Sequence, residues 1–156
     1  MNKANQSSFV YVTFIRTTPD KLWSALITAD FMKEYWFGCN FKTEWKAGAR
    51  WELVYPDGRV TDAGEIEEFD PPKQLVLKWR NEFRPELKAE GFARCTISLE
   101  PISDAAKLTI THTIDRADSK LIEAVSGGWP QILSNLKSLI ETGQVVLTEA
   151  DRSNGQ

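Results

Sequence analysis

The chain has 156 residues, of which 42% are hydrophobic and 26% charged, with a formal net charge of -3. This is the size and make-up of one globular domain with a single core. The mild acidic balance argues against a nucleic-acid or anionic-membrane surface, and no apolar run approaches the ~20 residues of a bilayer span.

The first residues, MNKANQSSF, are polar and lack the apolar stretch of a secretory signal. Cys39 and Cys95 are far apart and form no C-x-x-C pair, as expected of two reduced buried thiols in a cytoplasmic protein. Polar ends, residues 1–7 and 144–156, frame a single domain at 8–143, and both ends are expected to fray.

FVYVTFIRT (9–17) is rich in β-branched and aromatic residues and predicts a first strand. Apolar residues on both of its faces predict cover on two sides or a helix alongside. Thr18 and Pro19 then form a helix start, and Leu22, Trp23, Leu26 and Ile27 share one helical face. ADFMKEYWF predicts a second short helix with Phe31, Met32, Tyr35 and Trp36 on its apolar side.

From residue 40 the apolar period falls to two. Strands are predicted at 40–45, 49–55, 60–69, 74–80, 91–101 and 107–115, with a tight Asp-Gly hairpin in YPDGR. Leu75, Leu77 and Trp79 share a face, as do Ala93, Cys95, Ile97 and Leu99, and then Leu108, Ile110, His112 and Ile114. The opposite faces carry Thr, Lys and Glu, which predicts an antiparallel sheet with one buried side.

That side needs a cover, and the segment 119–142 supplies it. Its apolar stripe is Ile122, Val125, Trp129, Ile132, Leu133, Leu136 and Ile140, with Gly143 just past its end. At 1.5 Å per residue such a helix spans ~36 Å, enough to cross a small sheet. Glycine costs ~1 kcal/mol and proline ~3 in a helix interior, yet Gly127, Gly128 and Pro130 sit in the middle of this one. A helix bent at Pro130 and stripped of bulk at the glycines can leave a void over the concave centre of the sheet. The expected architecture is α+β: six to seven antiparallel strands curled around a long C-terminal helix, with two short helices after the first strand.

Four stretches in this order carry a family resemblance: TPDKLWSALITADFMKEYW, DAGEIEEFDPPKQLVLKW, LTITH and GGWPQILSNLKSLIETG. The chain resembles the SRPBCC superfamily, whose START and birch-pollen-allergen-like members share the helix-grip fold. Within it the chain is similar to the single-domain bacterial group named after the heat-shock protein 90 ATPase activator. The resemblance implies the architecture above with an internal cavity for apolar small molecules. It leaves function open, since the superfamily holds carriers, cyclases, hydroxylases and co-chaperone domains.

Ligand contacts are expected from Trp36, Trp51, Tyr55, Trp79, His112 and Trp129, all read as facing the interior or its rim. For the tryptophans the alternative is ordinary core packing. His112, the only histidine, can hydrogen-bond a ligand or be a core histidine satisfied by a neighbour. Asp62 lies near the same hairpin as Tyr55 and can orient a ligand or simply be wet. Glu65, Glu67, Glu68 and Asp70 read as a solvated edge. One histidine and two distant cysteines supply no ordinary zinc site, and no nucleophile elbow or phosphate-binding glycine loop is present.

These readings favour a carrier or sensor of a small hydrophobic ligand, with no catalytic residue, cofactor, metal, nucleic acid or membrane insertion. A cyclase or dehydratase that uses His112, Tyr55 or Asp62 to move protons is the alternative, and a chaperone ATPase cofactor ranks third. The eukaryotic activator matches this domain in one half of its length, and a chain of this size is expected to lack the other half. An unpaired edge strand and exposed aromatics are compatible with a homodimer.

Overall fold

In the computed structural model, residues 5–148 are described. Strand β1 (Ser7–Ile15) leads into helices α1 (Pro19–Ile27) and α2 (Ala29–Tyr35). Strands β2 (Asn40–Lys42), β3 (Arg50–Val54), β4 (Val60–Asp70) and β5 (Gln74–Asn81) follow. A helical turn α3 (Pro85–Lys88) precedes β6 (Ala93–Ile102) and β7 (Ala105–Ile114), and α4 (Lys120–Thr142) closes the order. The seven strands form one antiparallel sheet in the order β1-β7-β6-β5-β4-β3-β2. This is the α+β helix-grip architecture that the alternation and the long terminal helix predict.

The period-two patterns place side chains as expected. Leu75, Leu77 and Trp79 on β5, Cys95, Ile97 and Leu99 on β6, and Leu108, Ile110 and His112 on β7 are buried beneath α4. Glu65, Glu67 and Glu68 face outward, with Gly64 and Ile66 buried between them. A register shift between Ile66 and Glu68 lets Glu67 and Glu68 both stay exposed.

Helix α1 begins where Thr18 Oγ1 accepts from the Lys21 amide at 3.2 Å, with Pro19 in the first turn. Helix α4 has a two-part cap. Ser119 Oγ accepts from Ile122 N at 3.1 Å, while the Glu90 carboxylate accepts from Ser119 Oγ, Lys120 N and Leu121 N. Burial opposes ionisation of Glu90, but these bonds outweigh it and hold its carboxyl below the ordinary range. At the far end Gly143 takes φ +84°, the left-handed turn that glycine allows, and its amide returns to Leu139 O.

Of the two alternatives for β1, a helix alongside is the one observed: Phe9, Tyr11 and Ile15 pack inward beside α4, whereas Val10 and Phe14 on the outer face are 58% and 48% exposed. Two expectations need correction. The polar front end is shorter than expected, because Ser7 already pairs with Ile114. The end predicted to fray from 144 instead folds back as far as 148. The buried Asn135 side chain accepts from Val146 N and Leu147 N at 3.0 and 2.8 Å and donates to Leu147 O, while Val145 and Leu147 pack on the core. Residues 1–4 and 149–156, the remainder of those ends, lie outside the described residues. No helix among the described residues is long and apolar enough to cross a membrane.

Candidate functional site

A half-enclosed pocket of about 200 Å³ opens between the first half of α4 and the end of the sheet that carries the β3–β4 hairpin. Its α4 wall is Leu121, Ala124, Val125, Gly128, Trp129 and Ile132. Trp36 and Cys39 close one side, and Leu53, Thr61, Asp62 and Trp79 form the sheet side. Tyr55 and Phe83, edge to face at 5.6 Å, stand at the rim with Arg84.

Local structure brings these groups together. The hairpin closes through Tyr55 N to Arg59 O and Gly58 N to Tyr55 O, both 2.9 Å, and Gly58 supplies φ +91°. Arg59 lies over both the Tyr55 and Phe83 rings, at 4.9 and 5.3 Å, and pairs with Asp57 at 2.8 Å. The Arg59 amide, together with its guanidinium, holds the exposed Asp57 carboxyl below its ordinary range. On the other rim, Asn81 Oδ1 accepts from the amides of Phe83 and Arg84 at 2.9 and 2.7 Å, turning the chain into α3.

The aromatic walls are fixed from behind. Trp79 Nε1 donates to Asp62 Oδ2 at 2.8 Å, and Thr61 Oγ1 donates to Asp62 Oδ1 at 2.7 Å. Trp129 Nε1 donates to His112 Nδ1 at 3.1 Å. Trp36 meets Trp129 edge to face at 5.3 Å, and Trp79 lies 5.8 Å from Trp129. Each indole facing the pocket from Trp79 and Trp129 therefore has a satisfied N–H and a packed partner, so neither is free to rotate into the space.

Of the residues expected at the site, Trp36, Tyr55, Trp79 and Trp129 line this pocket; Trp51 and His112 do not. Trp51 is 1% exposed, 4.7 Å from Trp79, and donates its N–H to the Lys78 carbonyl at 2.9 Å. It reaches that carbonyl because Gly64, its cross-strand neighbour, has no side chain in the way. His112 sits beneath Trp79 and Trp129, fully buried, with its Nδ1 already accepting. Burial pushes its imidazole down to about 3, so the ring is neutral, and an accepting Nδ1 places the proton on Nε2. That Nε2 has no hydrogen-bond partner among the described residues.

Asn81, Phe83, Arg84 and Leu87 were not singled out from the sequence. The signal was present as Arg-Pro-Glu, a helix start with proline in its first turn, and as Leu87, a lone apolar residue in a polar run that is 1% exposed. Gly128 lines the pocket, and a methyl built on it or on Gly127 meets nothing within 4 Å. Gly127 is exposed, so only the second glycine bears on the pocket. Among the described residues no group of three or more His, Cys, Asp or Glu is placed to hold a metal ion.

The fold is shared with solved structures of low sequence identity. A protein from Mesorhizobium loti superposes with a TM-score of 0.75 at 22% identity, covering 89% of this chain and 100% of that one. The Aha1 dimer from Colwellia psychrerythraea gives 0.70 at 17%, covering 88% and 98%. An HSP90 activator from Plasmodium falciparum gives 0.68 at 21%, covering 85% and 94%. No curated protein matches the chain. The family model described as activator of Hsp90 ATPase homolog 1-like protein matches residues 16–141, well over half the sequence, and the chain belongs to that family.

Proposed function

We propose that the protein binds a small apolar ligand in the pocket under α4 and acts as a carrier or sensor rather than an enzyme. The observation that carries this reading is a space of about 200 Å³ walled by Trp36, Trp79 and Trp129 and left open by Gly128. An apolar cavity of ~150 Å³ takes up benzene, while pockets for drug-sized ligands begin near ~300 Å³. The volume therefore suits one or two fused rings or a short acyl chain and is too small for a long-chain lipid. A ligand of roughly ten non-hydrogen atoms, at about 0.5 kcal/mol each, binds with a Kd on the order of 0.1 mM.

A proton-moving enzyme would need several polar groups converging on one point. Tyr55 and Asp62 reach the pocket, but His112 is occupied by Trp129 and weakly basic, which weighs against that alternative. Family membership favours a second reading, stimulation of a chaperone ATPase, which a coupled ATPase assay with and without this protein tests directly. Self-association is supported by the exposed apolar outer face of β1 and by the dimeric Colwellia relative, and sedimentation velocity tests it.

Three of the six tryptophans line the pocket, so ligand entry reads out in their emission. Titration with naphthalene-sized aromatics and short-chain acids is expected to shift tryptophan emission and raise Tm. If no such compound changes either at millimolar concentration, the ligand reading fails.

A further inference from the structure

The sheet side of the pocket mouth is built from two pieces of chain that flank the start of β4. One is the β3–β4 hairpin, which brings Tyr55 and Arg59; the other is the turn after β5, which brings Phe83. Backbone fixes the base of both pieces. Strands β4 and β5 pair as far as Asp62 and Asn81, Glu82 N donates to Thr61 O at 2.8 Å, and Asn81 holds the amides of Phe83 and Arg84. The tips meet through side chains: Tyr55 stands edge to face with Phe83 at 5.6 Å, and the Arg59 guanidinium lies over both rings at 4.9 and 5.3 Å. Arg59 is tied to its own hairpin by Asp57 at 2.8 Å, so it reaches Phe83 as part of that hairpin. It is not part of the pocket wall and acts on the pocket through the two rings, which are. This cluster stands in water, with Phe83 46% and the Arg59 side chain 59% exposed, whereas Trp36, Trp79 and Trp129 behind it are at most 4% exposed. Exposed guanidinium–ring contacts are weak, and exposed side chains change rotamer within nanoseconds. The rim can therefore move while the hydrogen-bonded indoles at the back stay still.

Resting on the ligand reading above, we infer that Arg59, Tyr55 and Phe83 form a latch at the mouth, in which Arg59 sets how fast a small apolar ligand enters and leaves but not how tightly it is held. Closed, the guanidinium ties the hairpin tip to the turn after β5; open, the two rings part and the pocket widens to solvent. The closed latch is the same whether the pocket is empty or filled, so the Arg59 contacts cancel from the affinity and remain in both rates. Loss of one exposed contact of this kind raises the open population about two- to fivefold.

The test is stopped-flow mixing of naphthol with the full chain, followed by tryptophan emission, in the native protein, Arg59→Gln and Arg59→Lys. Glutamine keeps much of the length and the polarity but removes the cation; lysine restores a cation over the rings. Arg59 is an exposed hairpin residue outside the pocket wall, so both variants should fold, and urea unfolding checks that they do. Arg59→Gln is expected to raise the association and dissociation rates together, by about two- to fivefold, with Kd unchanged within about twofold, and Arg59→Lys to return both rates toward native values. Unchanged rates in Arg59→Gln would overturn the latch and leave the pocket standing. A faster dissociation with unchanged association would also overturn it, because Arg59 would then be a binding contact. If naphthol binds none of the three proteins, the ligand reading fails, and acrylamide quenching of the pocket tryptophans decides the latch by itself. Quenching rises in Arg59→Gln and falls back in Arg59→Lys if the mouth opens as described; equal quenching in all three proteins would overturn it.

Discussion

Gly64 is where the aromatic layer behind the pocket is most tightly constrained, and Gly64→Ala is the sharpest stability test of the packing. A methyl at this position stands 1.8 Å from the Lys78 carbonyl oxygen and 2.7 Å from its carbon. Carbon–oxygen contacts between strands run near ~3.3 Å, so β4 and β5 must part by roughly 1.5 Å. Backbone cannot swing aside as a flexible side chain can. The forced shift costs about 1–3 kcal/mol as overpacking. It also draws the Lys78 carbonyl away from Trp51 Nε1, now 2.9 Å distant, leaving a buried donor at about 1–3 kcal/mol more. The sum is about 2–6 kcal/mol, a large share of the ~5–15 that stabilises a domain. At ~2–4 °C per kcal/mol for a chain of this size, Tm falls on the order of 10 °C. Urea unfolding followed by tryptophan emission, with calorimetry for Tm, measures both. Gly127→Ala is the matched control: its methyl meets nothing within 4 Å, so the same exchange should stabilise by about 0.5–1 kcal/mol. A loss below ~1 kcal/mol for Gly64→Ala would refute the reasoning.

Other outcomes follow from the same structure. Glu90→Ala removes the carboxylate that caps α4 from outside the helix and should cost about 1 kcal/mol in urea unfolding, with hydrogen exchange quickened first at Lys120 and Leu121. Burial lowers His112 from 6.5 to about 3, so the neutral ring contributes stability that is whole above pH ~6.5 and is lost as pH falls toward 3. By pH 4 the loss from this group is on the order of 3 kcal/mol. His112→Gln, whose amide oxygen can still accept from Trp129, should flatten that part of the pH profile; parallel profiles would contradict it. Cys39 and Cys95 are both buried, at 2% and 0% exposure, and burial pushes the Cys95 thiol up. Both should therefore resist a thiol reagent in the folded protein and react once urea unfolds it, as peptide mass mapping would show.

Most of the fold was legible because its signals are local. Alternation on β5, β6 and β7 fixes which side chains meet α4, and Thr18, Ser119 and Gly143 mark the helix ends in residue types that do so for physical reasons. What was not legible depends on partners distant in sequence. Trp51 and Trp79 both read as inward, and only the juxtaposition of Gly64 with Lys78 sends the Trp51 indole into the packed layer while Trp79 keeps a face on the pocket. His112 reads as inward too, but not as covered by two indoles. Asn135 reads as a polar break in an apolar stripe, and its role becomes visible only when Val146 and Leu147 return to it. The pocket itself owes its opening to Gly128 and its rim to the unassigned stretch 81–87, where a helical turn of four residues is too short to announce itself by periodicity.

The most direct measurement is calorimetric titration of naphthol into the native protein and into Gly128→Leu, run beside their urea unfolding curves. Leucine at this helical position should preserve or raise stability by about 1 kcal/mol while its side chain occupies the pocket. The account predicts a variant at least as stable as the native protein whose affinity is lower by tenfold or more; equal binding by both proteins would contradict it.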